Sequence, residues 1–398
     1  MKKYIILTYL LAVTLLSHAQ NNFNPSAGIT IPKDYFTEIP YENMNGKLII
    51  SVEVNGKPYR FVFDTGMSIT MVNKKILDDL NHSTFSVLSI DQSGKKDSLL
   101  VNKLNHIRIG DTDFGEVPVV TVDFDENPLI KCFNVDGYLG SNLFAHMAIR
   151  ISSTEKTITL TDNSSTLQLN KEQSSELLFP SEENRLPFIK IRFFDSDDDY
   201  VIEPVQLDAG ANHLYRLQLD HLTTLHEQGV VQDIVKSAGS SSIGLFGNAE
   251  VEDMYLVKIP KMEINGATLN GLQVETIENQ YSSIGSSLFD YGTVTFDYIN
   301  SLFYFEPFNE VIDVNEKLFP VSPTVSDGKL VVGVIWDASL ENQISIGDQI
   351  VSIDDIDYTN LEVCELMVKG VEFKDKNRIT LGIKNRQGNI KQITIERR

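Results

Sequence analysis

Residues 60–70 read Arg-Phe-Val-Phe-Asp-Thr-Gly-Met-Ser-Ile-Thr, so an apolar run ends directly in an aspartate, a hydroxyl residue and a glycine. Upstream, Lys47–Val54 alternates apolar and polar residues, Asn55-Gly56 is a hairpin signal, and Tyr59–Phe63 supplies the returning strand. The pattern predicts a β-hairpin that delivers Asp64 to the end of a strand. The glycine two residues later lets the chain turn back without a Cβ clash.

The same order of features occurs a second time along the chain. Asp208 stands in Val-Gln-Leu-Asp-Ala-Gly-Ala-Asn at 205–212. Each aspartate is followed by a similar motif, Leu-Gly-Ser-Asn-Leu-Phe at 139–144 and Ile-Gly-Ser-Ser-Leu-Phe at 284–289. The spacing from aspartate to motif glycine is 76 residues in the first copy and 77 in the second. The repeat predicts a duplicated β unit of about 120–140 residues, with one Asp-x-Gly loop in each half.

Two facing Asp-x-Gly loops would support acid–base chemistry. Two carboxyl groups within hydrogen-bonding range cannot both ionise freely, so they share one proton. The ionised carboxylate then activates a water, while the protonated one polarises a substrate carbonyl. The sequence therefore predicts Asp64 and Asp208 as the catalytic residues of a hydrolase that needs no covalent intermediate, metal or cofactor. The seven histidines show no metal-ligand spacing that would indicate a zinc site.

The stretch at 61–70 resembles the catalytic loop of aspartic peptidases, in their retroviral-protease-like branch. The motifs at 139–144 and 284–289 resemble the second motif of that family, which packs behind the catalytic loop. The resemblance implies an all-β fold of two acid-protease lobes carried in one chain, as in pepsins. It implies an aspartic endopeptidase whose peptide or protein substrate lies as an extended strand across the cleft. Four loop residues would then shape the catalytic site: Thr65, Gly66, Ala209 and Gly210.

Ala209 departs from the family pattern, which has Thr or Ser in the middle of the triplet. It cannot donate the cross-loop hydrogen bond that Thr65 can, and losing one buried bond costs on the order of 1–2 kcal/mol of local rigidity. Asp208 then has an alternative interpretation as a structural relic in a non-catalytic lobe. Two other functions stay open: an inactive peptide- or protein-binding protein on the same fold, and a homodimer that pairs its first halves.

Flexible hairpins cover the cleft in this fold. In the second half, Gly244-Leu245-Phe246-Gly247 fits a substrate-binding flap, because paired glycines permit hinging and the two apolar residues can press on substrate. In the first half, the turn Gln92-Ser93-Gly94-Lys95 is the corresponding candidate, and it fits less well. Helical patterns are few, and the best are Lys74–Leu80 and Leu217–Gln228.

The last part of the chain forms a compact pattern of about 75 residues. It consists of a strand, a Gly-Asp-x-Ile-x-x-Ile segment, a helix and two strands, at Lys329–Ile335, 345–355, Leu361–Lys369, Arg378–Lys384 and Ile390–Ile395. This pattern resembles a PDZ domain, which implies a groove that binds a peptide ligand by strand addition. The combination is similar to exported bacterial aspartyl proteases with a C-terminal PDZ domain.

The N-terminus predicts export. Lys2 and Lys3 precede an apolar run, Ile5–Leu16, and Ser17-His18-Ala19 offers small residues for cleavage before Gln20. The run is too short to span a bilayer. We expect a secreted or periplasmic monomer with four parts: a signal peptide at 1–19, the first protease lobe at 20–165, the second lobe at 166–310 and the PDZ-like domain at 311–398.

Charge and cysteine content limit the partners. The formal net charge is −21, from 34 basic and 55 acidic residues, and no long Lys/Arg stripe offsets it. Such a chain repels nucleic acid and anionic lipid, so neither is an expected partner. Cys132 and Cys364 are far apart in sequence and fall in different predicted domains. We therefore expect two unpaired, buried thiols, although export would permit a disulfide.

Overall fold

The computed structural model describes residues 5–6, 24–77, 86–90, 95–181, 184–240, 243–244, 247–248, 250–278, 281–315, 317–360, 362–369 and 376–398. Strands dominate these residues, which confirms the all-β prediction. The first strand, β1 (Ile5–Ile6), pairs in parallel with Val201–Ile202 and belongs to neither predicted lobe nor to the C-terminal module. This strand lies inside the predicted signal peptide, whose other residues are outside the described ranges. No helix in the described part of the chain is both long and apolar enough to cross a bilayer.

The predicted first lobe, residues 20–165, is described from residue 24 onward apart from 78–85 and 91–94, and its strands fall in two sheets. Its elements are β2 (Phe36–Pro40), β3 (Glu42–Met44), β4 (Lys47–Val54), β5 (Lys57–Phe63), β6 (Thr70–Asn73), β7 (Ser86–Ile90), β8 (Lys96–Ile109), β9 (Thr112–Val122), α1 (Pro128–Cys132), β10 (Gly137–Leu139), α2 (Ser141–Phe144), β11 (Ala148–Ser152) and β12 (Thr157–Thr161). Eight of these strands follow the spatial order β3-β4-β5-β10-β6-β9-β8-β7.

The hairpin predicted before Asp64 is present. β4 has the bounds expected from its alternation, and it pairs antiparallel with β5 through Val54 and Lys57. The turn residues Asn55 and Gly56 have φ values of 50° and 77°. Positive φ at both positions is what a two-residue type I′ turn requires, and Asn-Gly is the pair that adopts it at least cost.

The predicted second lobe, residues 166–310, repeats the pairing of the aspartate-bearing strand with the motif strand. Its elements, with a last strand that follows it directly, are β13 (Ser174–Glu176), β14 (Phe188–Phe194), β15 (Tyr200–Asp208), β16 (Leu217–Gln218), α3 (Leu219–Glu227), β17 (Gln232–Gly239), β18 (Ile243–Gly244), β19 (Gly247–Asn248), β20 (Glu252–Ile264), β21 (Ala267–Ile277), β22 (Ser283–Gly285), β23 (Gly292–Asp297), β24 (Leu302–Pro307) and β25 (Val311–Asp313). β25 lies in the predicted PDZ-like segment but pairs in parallel with β21.

The duplication is visible in the strand pairing. In the first lobe β10 runs parallel to β5, with Leu139 opposite Phe63. In the second lobe β22 runs parallel to β15, with Ile284 opposite Leu207. The apolar residue before each motif glycine therefore lies beside the apolar residue before each aspartate. The two sequence motifs that are 76 or 77 residues apart are neighbours in space.

The two lobes share a sheet and a core. A six-stranded sheet has the order β13-β24-β23-β11-β12-β2, and β11 of the first lobe pairs antiparallel with β23 of the second. Ile149 faces Phe296 in this pairing, and both side chains are buried. One contiguous apolar cluster includes residues from both lobes. Because backbone hydrogen bonds and the core both cross between them, the lobes form one packing unit.

The C-terminal module, residues 317–398, has an apolar core of its own. Its elements are β26 (Val321–Ser326), β27 (Lys329–Ile335), β28 (Gln349–Ile353), β29 (Ile356–Asp357), α4 (Val363–Lys369), β30 (Arg378–Lys384) and β31 (Ile390–Glu396). The predicted strands β27 and β30 have the expected bounds, and the predicted helix appears as α4. The module touches the second lobe where Gly239 of β17 pairs with Val334 of β27.

The module is also attached to the first lobe, through α4. Cys132 of α1 and Cys364 of α4 form a disulfide, with Cα atoms 4.4 Å apart. The prediction of two unpaired thiols is therefore wrong. The cysteines are separated by 232 positions in sequence, so no local pattern indicates that the fold brings these two short helices side by side. Met367 and Val368 of α4 pack against a first-lobe apolar cluster, and Asn45 Nδ2 donates a hydrogen bond to the Met367 carbonyl.

Candidate active site

The strand ends deliver Asp64 and Asp208 into two similar tight loops. The Asp64 backbone N–H donates to the Leu139 carbonyl at 3.1 Å, which fixes the point where β5 ends. The Asp64 carboxylate accepts a hydrogen bond from the Gly66 N–H at 2.9 Å, and the Asp208 carboxylate accepts one from the Gly210 N–H at 3.0 Å. Each carboxylate is therefore held by the glycine of its own triplet.

Each aspartate also lies against the glycine of the opposite loop. A Cβ atom added to Gly66 would collide with the Asp208 carboxyl group, and one added to Gly210 would collide with the Asp64 carboxyl group. Neither position tolerates a side chain, because the colliding atoms belong to the reactive groups themselves. The glycines thus let two loops from different lobes approach closely enough for their carboxyl groups to face each other.

The two carboxyl groups lie within hydrogen-bonding reach of each other. Burial raises the pKa of Asp64, and the nearby Asp208 charge raises it further. Burial also raises the pKa of Asp208, although Lys47 and the N–H groups of its own loop oppose the shift. Asp64 keeps 8% of its surface exposed and Asp208 is half-buried, so neither is sealed from solvent. The pair is therefore arranged to retain one proton above the usual pH range of a carboxyl group.

Thr65 joins the two loops through its side chain. Its Oγ1 donates to the Leu207 carbonyl at 2.8 Å and accepts from the Ala209 N–H at 2.9 Å. Thr65 is fully buried, so these bonds form away from competing water. Ala209 has no hydroxyl to make the reciprocal bonds, and its methyl group belongs to the apolar core. In the other direction, Gln206 Nε2 donates a longer bond, 3.3 Å, to the Gly66 carbonyl.

The Gly-Ser motifs pack directly behind the loops. The Ser141 N–H donates to the Met67 carbonyl, and its Oγ donates to the Thr65 carbonyl at 2.8 Å. In the second lobe, the Ser286 N–H and Oγ both donate to the Ala211 carbonyl, at 2.7 and 2.9 Å. These bonds hold the outgoing chain of each loop, so the motifs support the positions of the two aspartates.

Two residues near the pair were not predicted from the sequence. Lys47 Nζ donates a hydrogen bond to the Gly210 carbonyl at 2.8 Å and lies 5.4 Å from the centroid of the Phe133 ring. Tyr138 of β10 is close enough to Asp64 for that charge, after burial, to raise the pKa of its phenol. Lys47 follows an ordinary turn and Tyr138 lies in a short apolar run, so neither carries a motif of its own. Tyr138 could have been noted from its place two residues before Gly140.

The flap candidates are described only in part. In the second lobe, β18 and β19 pair antiparallel with Gly244 opposite Gly247, which gives a two-residue hairpin. Its tip residues, Leu245 and Phe246, lie outside the described residues. In the first lobe, β7 and β8 form an antiparallel hairpin, and of its predicted turn only Lys95 is described. The role of either hairpin as a flap stays a prediction.

Comparison with known proteins finds a family match within the predicted first lobe. A family model described as aspartyl protease matches residues 50–143. This segment runs from β4 through Asp64 to the Leu-Gly-Ser-Asn-Leu motif, and it does not include Asp208. A search of curated proteins finds no match to the chain.

Proposed function

We propose that the protein is an aspartic endopeptidase that hydrolyses peptide bonds with Asp64 and Asp208. The observation that carries this proposal is the facing pair of carboxyl groups, each held by its own loop and pressed against the glycine of the other. The aspartyl-protease match over residues 50–143 supports protease chemistry in general. The substrate is a peptide or protein segment that lies extended between the two lobes, and the reaction needs no metal or cofactor.

The environment suggests which carboxyl group carries the shared proton. Asp64 is the more buried of the two and lies beside Tyr138, whereas Asp208 is half-buried. Burial favours the neutral form, so the proton resides mainly on Asp64. Asp208 then accepts a proton from the attacking water, and Asp64 donates a hydrogen bond to the substrate carbonyl oxygen. Proton return from the pair to the leaving nitrogen completes cleavage.

The test is cleavage of an unfolded protein by the purified chain between pH 4 and 8, compared with Asp64→Asn and Asp208→Asn variants. Both variants should lose activity by a factor of about 10³ or more, because each removes a required acid–base group. Circular dichroism serves to check that the variants remain folded. An Asp208→Asn variant with nearly normal activity would contradict the proposed pair and would favour a homodimer of first lobes.

A peptide-binding protein without activity is the second candidate function. The observation that favours it is Ala209, which leaves the cross-loop hydrogen bonds of Thr65 without reciprocal partners. Absence of cleavage by the folded wild-type chain at every pH, together with retention of an unfolded polypeptide on the immobilised protein, would support this alternative.

We infer that the C-terminal module is PDZ-like and binds a peptide by strand addition. Among the described strands β26 pairs with β27, and a ligand strand would add beside β26 to extend this sheet. Panning of a displayed library of free peptide C termini against the full-length Asp64→Asn chain tests this. A shared C-terminal sequence among the recovered peptides is expected, and recovery of unrelated sequences would contradict the inference.

We also propose that the protein is exported and monomeric. The pattern over residues 1–19 supports export, and the Cys132–Cys364 disulfide suits an oxidising compartment. Both aspartates come from one chain, so the site needs no second copy. Mass spectrometry of the protein from its native cells should find a chain that begins at Gln20. Light scattering should give the mass of one chain, and a dimer mass would contradict the monomer.

A further inference from the structure

Lys47 links the first lobe to the second catalytic loop. It is the first residue of β4, and its ammonium group reaches across the boundary between lobes to the Gly210 carbonyl. Gly210 is the residue that lies against the Asp64 carboxyl group, and its N–H binds the Asp208 carboxylate. One side chain of the first lobe therefore holds the residue that contacts both carboxyl groups.

This contact occurs where the second loop lacks a bond. The Thr65 hydroxyl forms hydrogen bonds from the first loop to the second. Ala209 has no hydroxyl with which to form the equivalent bonds from the second loop to the first. The Lys47 hydrogen bond lies one residue beyond Ala209. Hydrogen bonds from charged donors are stronger than those from neutral hydroxyl groups, so an ammonium group can supply the restraint that the missing hydroxyl would have given.

We propose that Lys47 is a positioning residue for the aspartate pair, which holds the second loop in place of the hydroxyl that Ala209 lacks. The proposal rests on the endopeptidase function proposed above. The Lys47 charge acts on the two carboxyl groups, and the Asp64 carboxyl group also has Tyr138 near it.

The effect of the Lys47 charge on the aspartates is consistent with the position of its ammonium group beside Gly210. The Lys47 charge lowers the pKa of both Asp64 and Asp208, against the larger opposite effect of burial. The Phe133 ring, whose centroid is 5.4 Å from Nζ, gives the ammonium group of this half-buried side chain a favourable aromatic neighbour. Without Lys47, the pair would hold its first and second protons up to a higher pH.

The experiment compares wild type with Lys47→Met, a neutral side chain of similar length. The matched control is Lys57→Met, which changes an exposed lysine in the same hairpin. The pH profile of kcat/KM for a fluorogenic peptide should move to higher pH on both limbs in Lys47→Met and stay in place in Lys57→Met. We also expect kcat to fall about 10- to 100-fold, as for loss of one charged hydrogen bond. Lys47→Arg should return both limbs to their wild-type positions.

A titration of ¹³C-labelled aspartate carboxyl groups by NMR measures the same shift without activity. If the wild type cleaves nothing, the proposed function fails, and this titration still decides the role of Lys47. Superimposable titrations of Lys47→Met and Lys57→Met would overturn the proposal. Should Lys47→Met not fold, Lys47→Gln replaces it with the same expected shift.

A double variant separates position from charge. Adding Ala209→Ser to Lys47→Met should recover part of kcat, because the serine hydroxyl can bond to the first loop, while both pH limbs remain displaced. Ala209→Ser alone should raise kcat by a smaller factor than it does in the Lys47→Met background, since Lys47 already holds the loop. If Ala209→Ser increased kcat equally with and without Lys47, the Lys47 contact and the hydroxyl at position 209 would act independently. That result would overturn the proposal that Lys47 takes the place of the missing hydroxyl.

Discussion

Thr65 illustrates how much one side chain contributes to the pair. Its hydroxyl both donates to and accepts from the backbone of the opposite loop. The second loop offers no equivalent, because Ala209 contributes a methyl group to the core instead. The geometry of the site therefore depends unequally on its two halves, although the two aspartates are held by equivalent bonds.

Replacement of Thr65 by valine should destabilise the protein by about 2–3 kcal/mol. The change keeps the shape but leaves the Leu207 carbonyl and the Ala209 N–H buried without a partner. Urea unfolding measures the effect, and Thr65→Ser, which retains the hydroxyl, is the matched control. Equal free energies of unfolding for the two variants would contradict the assigned role.

The ionised Asp64 carboxylate should lower the free energy of unfolding at neutral pH. Its folded-state pKa is raised by burial and by Asp208, so its ionisation is less favourable in the folded than in the unfolded chain. Stability contributed by the neutral carboxyl group is thus present below the unfolded-state pKa and is lost as pH rises toward the raised value. Asp64→Asn should raise the free energy of unfolding on the order of 1–3 kcal/mol at pH 8, with no gain near pH 4.

Thermal unfolding at several pH values checks this prediction. The exposed Asp97→Asn variant serves as the control and should change stability little at any pH. A gain from Asp64→Asn that is the same at pH 4 and pH 8 would indicate a packing effect rather than a protonation effect.

At this scale the sequence predicted the aspartates but not their electrostatic surroundings. Asp64 and Asp208 could be recognised because each begins a triplet in a repeated pattern. Lys47 and Tyr138 reach the site only through the fold, and a lysine after a turn looks like any solvated lysine. No local pattern specifies a contact with a loop 163 residues away.

Among the elements, the motif glycines set how closely the supporting chain approaches the catalytic loops. A Cβ atom on Gly140 would lie 2.6 Å from the Ile69 carbonyl carbon and 2.7 Å from the Thr70 nitrogen. Both are backbone atoms next to the first catalytic loop, so they can move only if the loop moves. The short strand β10 and helix α2 thus transmit any change at this position to Asp64.

Gly140→Ala should therefore lower the free energy of unfolding by about 2–3 kcal/mol through overpacking, and should reduce kcat through displacement of the loop. Gly115→Ala is the matched control. Its Cβ atom would lie 3.3 Å from the nearest atom, the Asn105 carbonyl oxygen, so a small local movement relieves the contact and its effect should stay within about 1 kcal/mol. A Gly140→Ala variant as stable and active as the control would contradict the close packing.

Strands with clear local signals were predicted closely. The alternation in β4, the apolar run of β27 and the turn chemistry of Asn55-Gly56 act over a few residues, so they can be read directly from the sequence. Pairing over long distance is different. Nothing local in β11 or β23 indicates that they lie side by side, because an alternating strand fits many partners equally well.

On the scale of the whole molecule, the disulfide fixes the C-terminal module to the first lobe. Cys132 and Cys364 close a loop of 232 residues, and the helices that carry them sit against each other. Sequence alone favoured two separate thiols, because the cysteines fall in different predicted domains. The bond became evident only from the tertiary arrangement of α1 and α4.

Cys364→Ser should lower the free energy of unfolding by about 3–5 kcal/mol, since the unfolded chain regains the freedom of a long loop. Thermal unfolding with and without reductant measures this. The wild-type melting temperature should fall on reduction to near that of the variant, whereas the variant should not respond. A wild type that is indifferent to reductant would contradict a structural role for the bond.

The sheet shared between the lobes has a consequence for synthesis on the ribosome. Ile149 in β11 finds its partner, Phe296, only after 147 further residues have been made. At roughly 5–20 residues per second, the nascent strand waits about 7–30 s with its outer edge unsatisfied. During that interval the unpaired strand edge exposes the emerging polypeptide to aggregation, so we expect efficient production to depend on a chaperone that keeps the early part of the chain unfolded until the later part arrives.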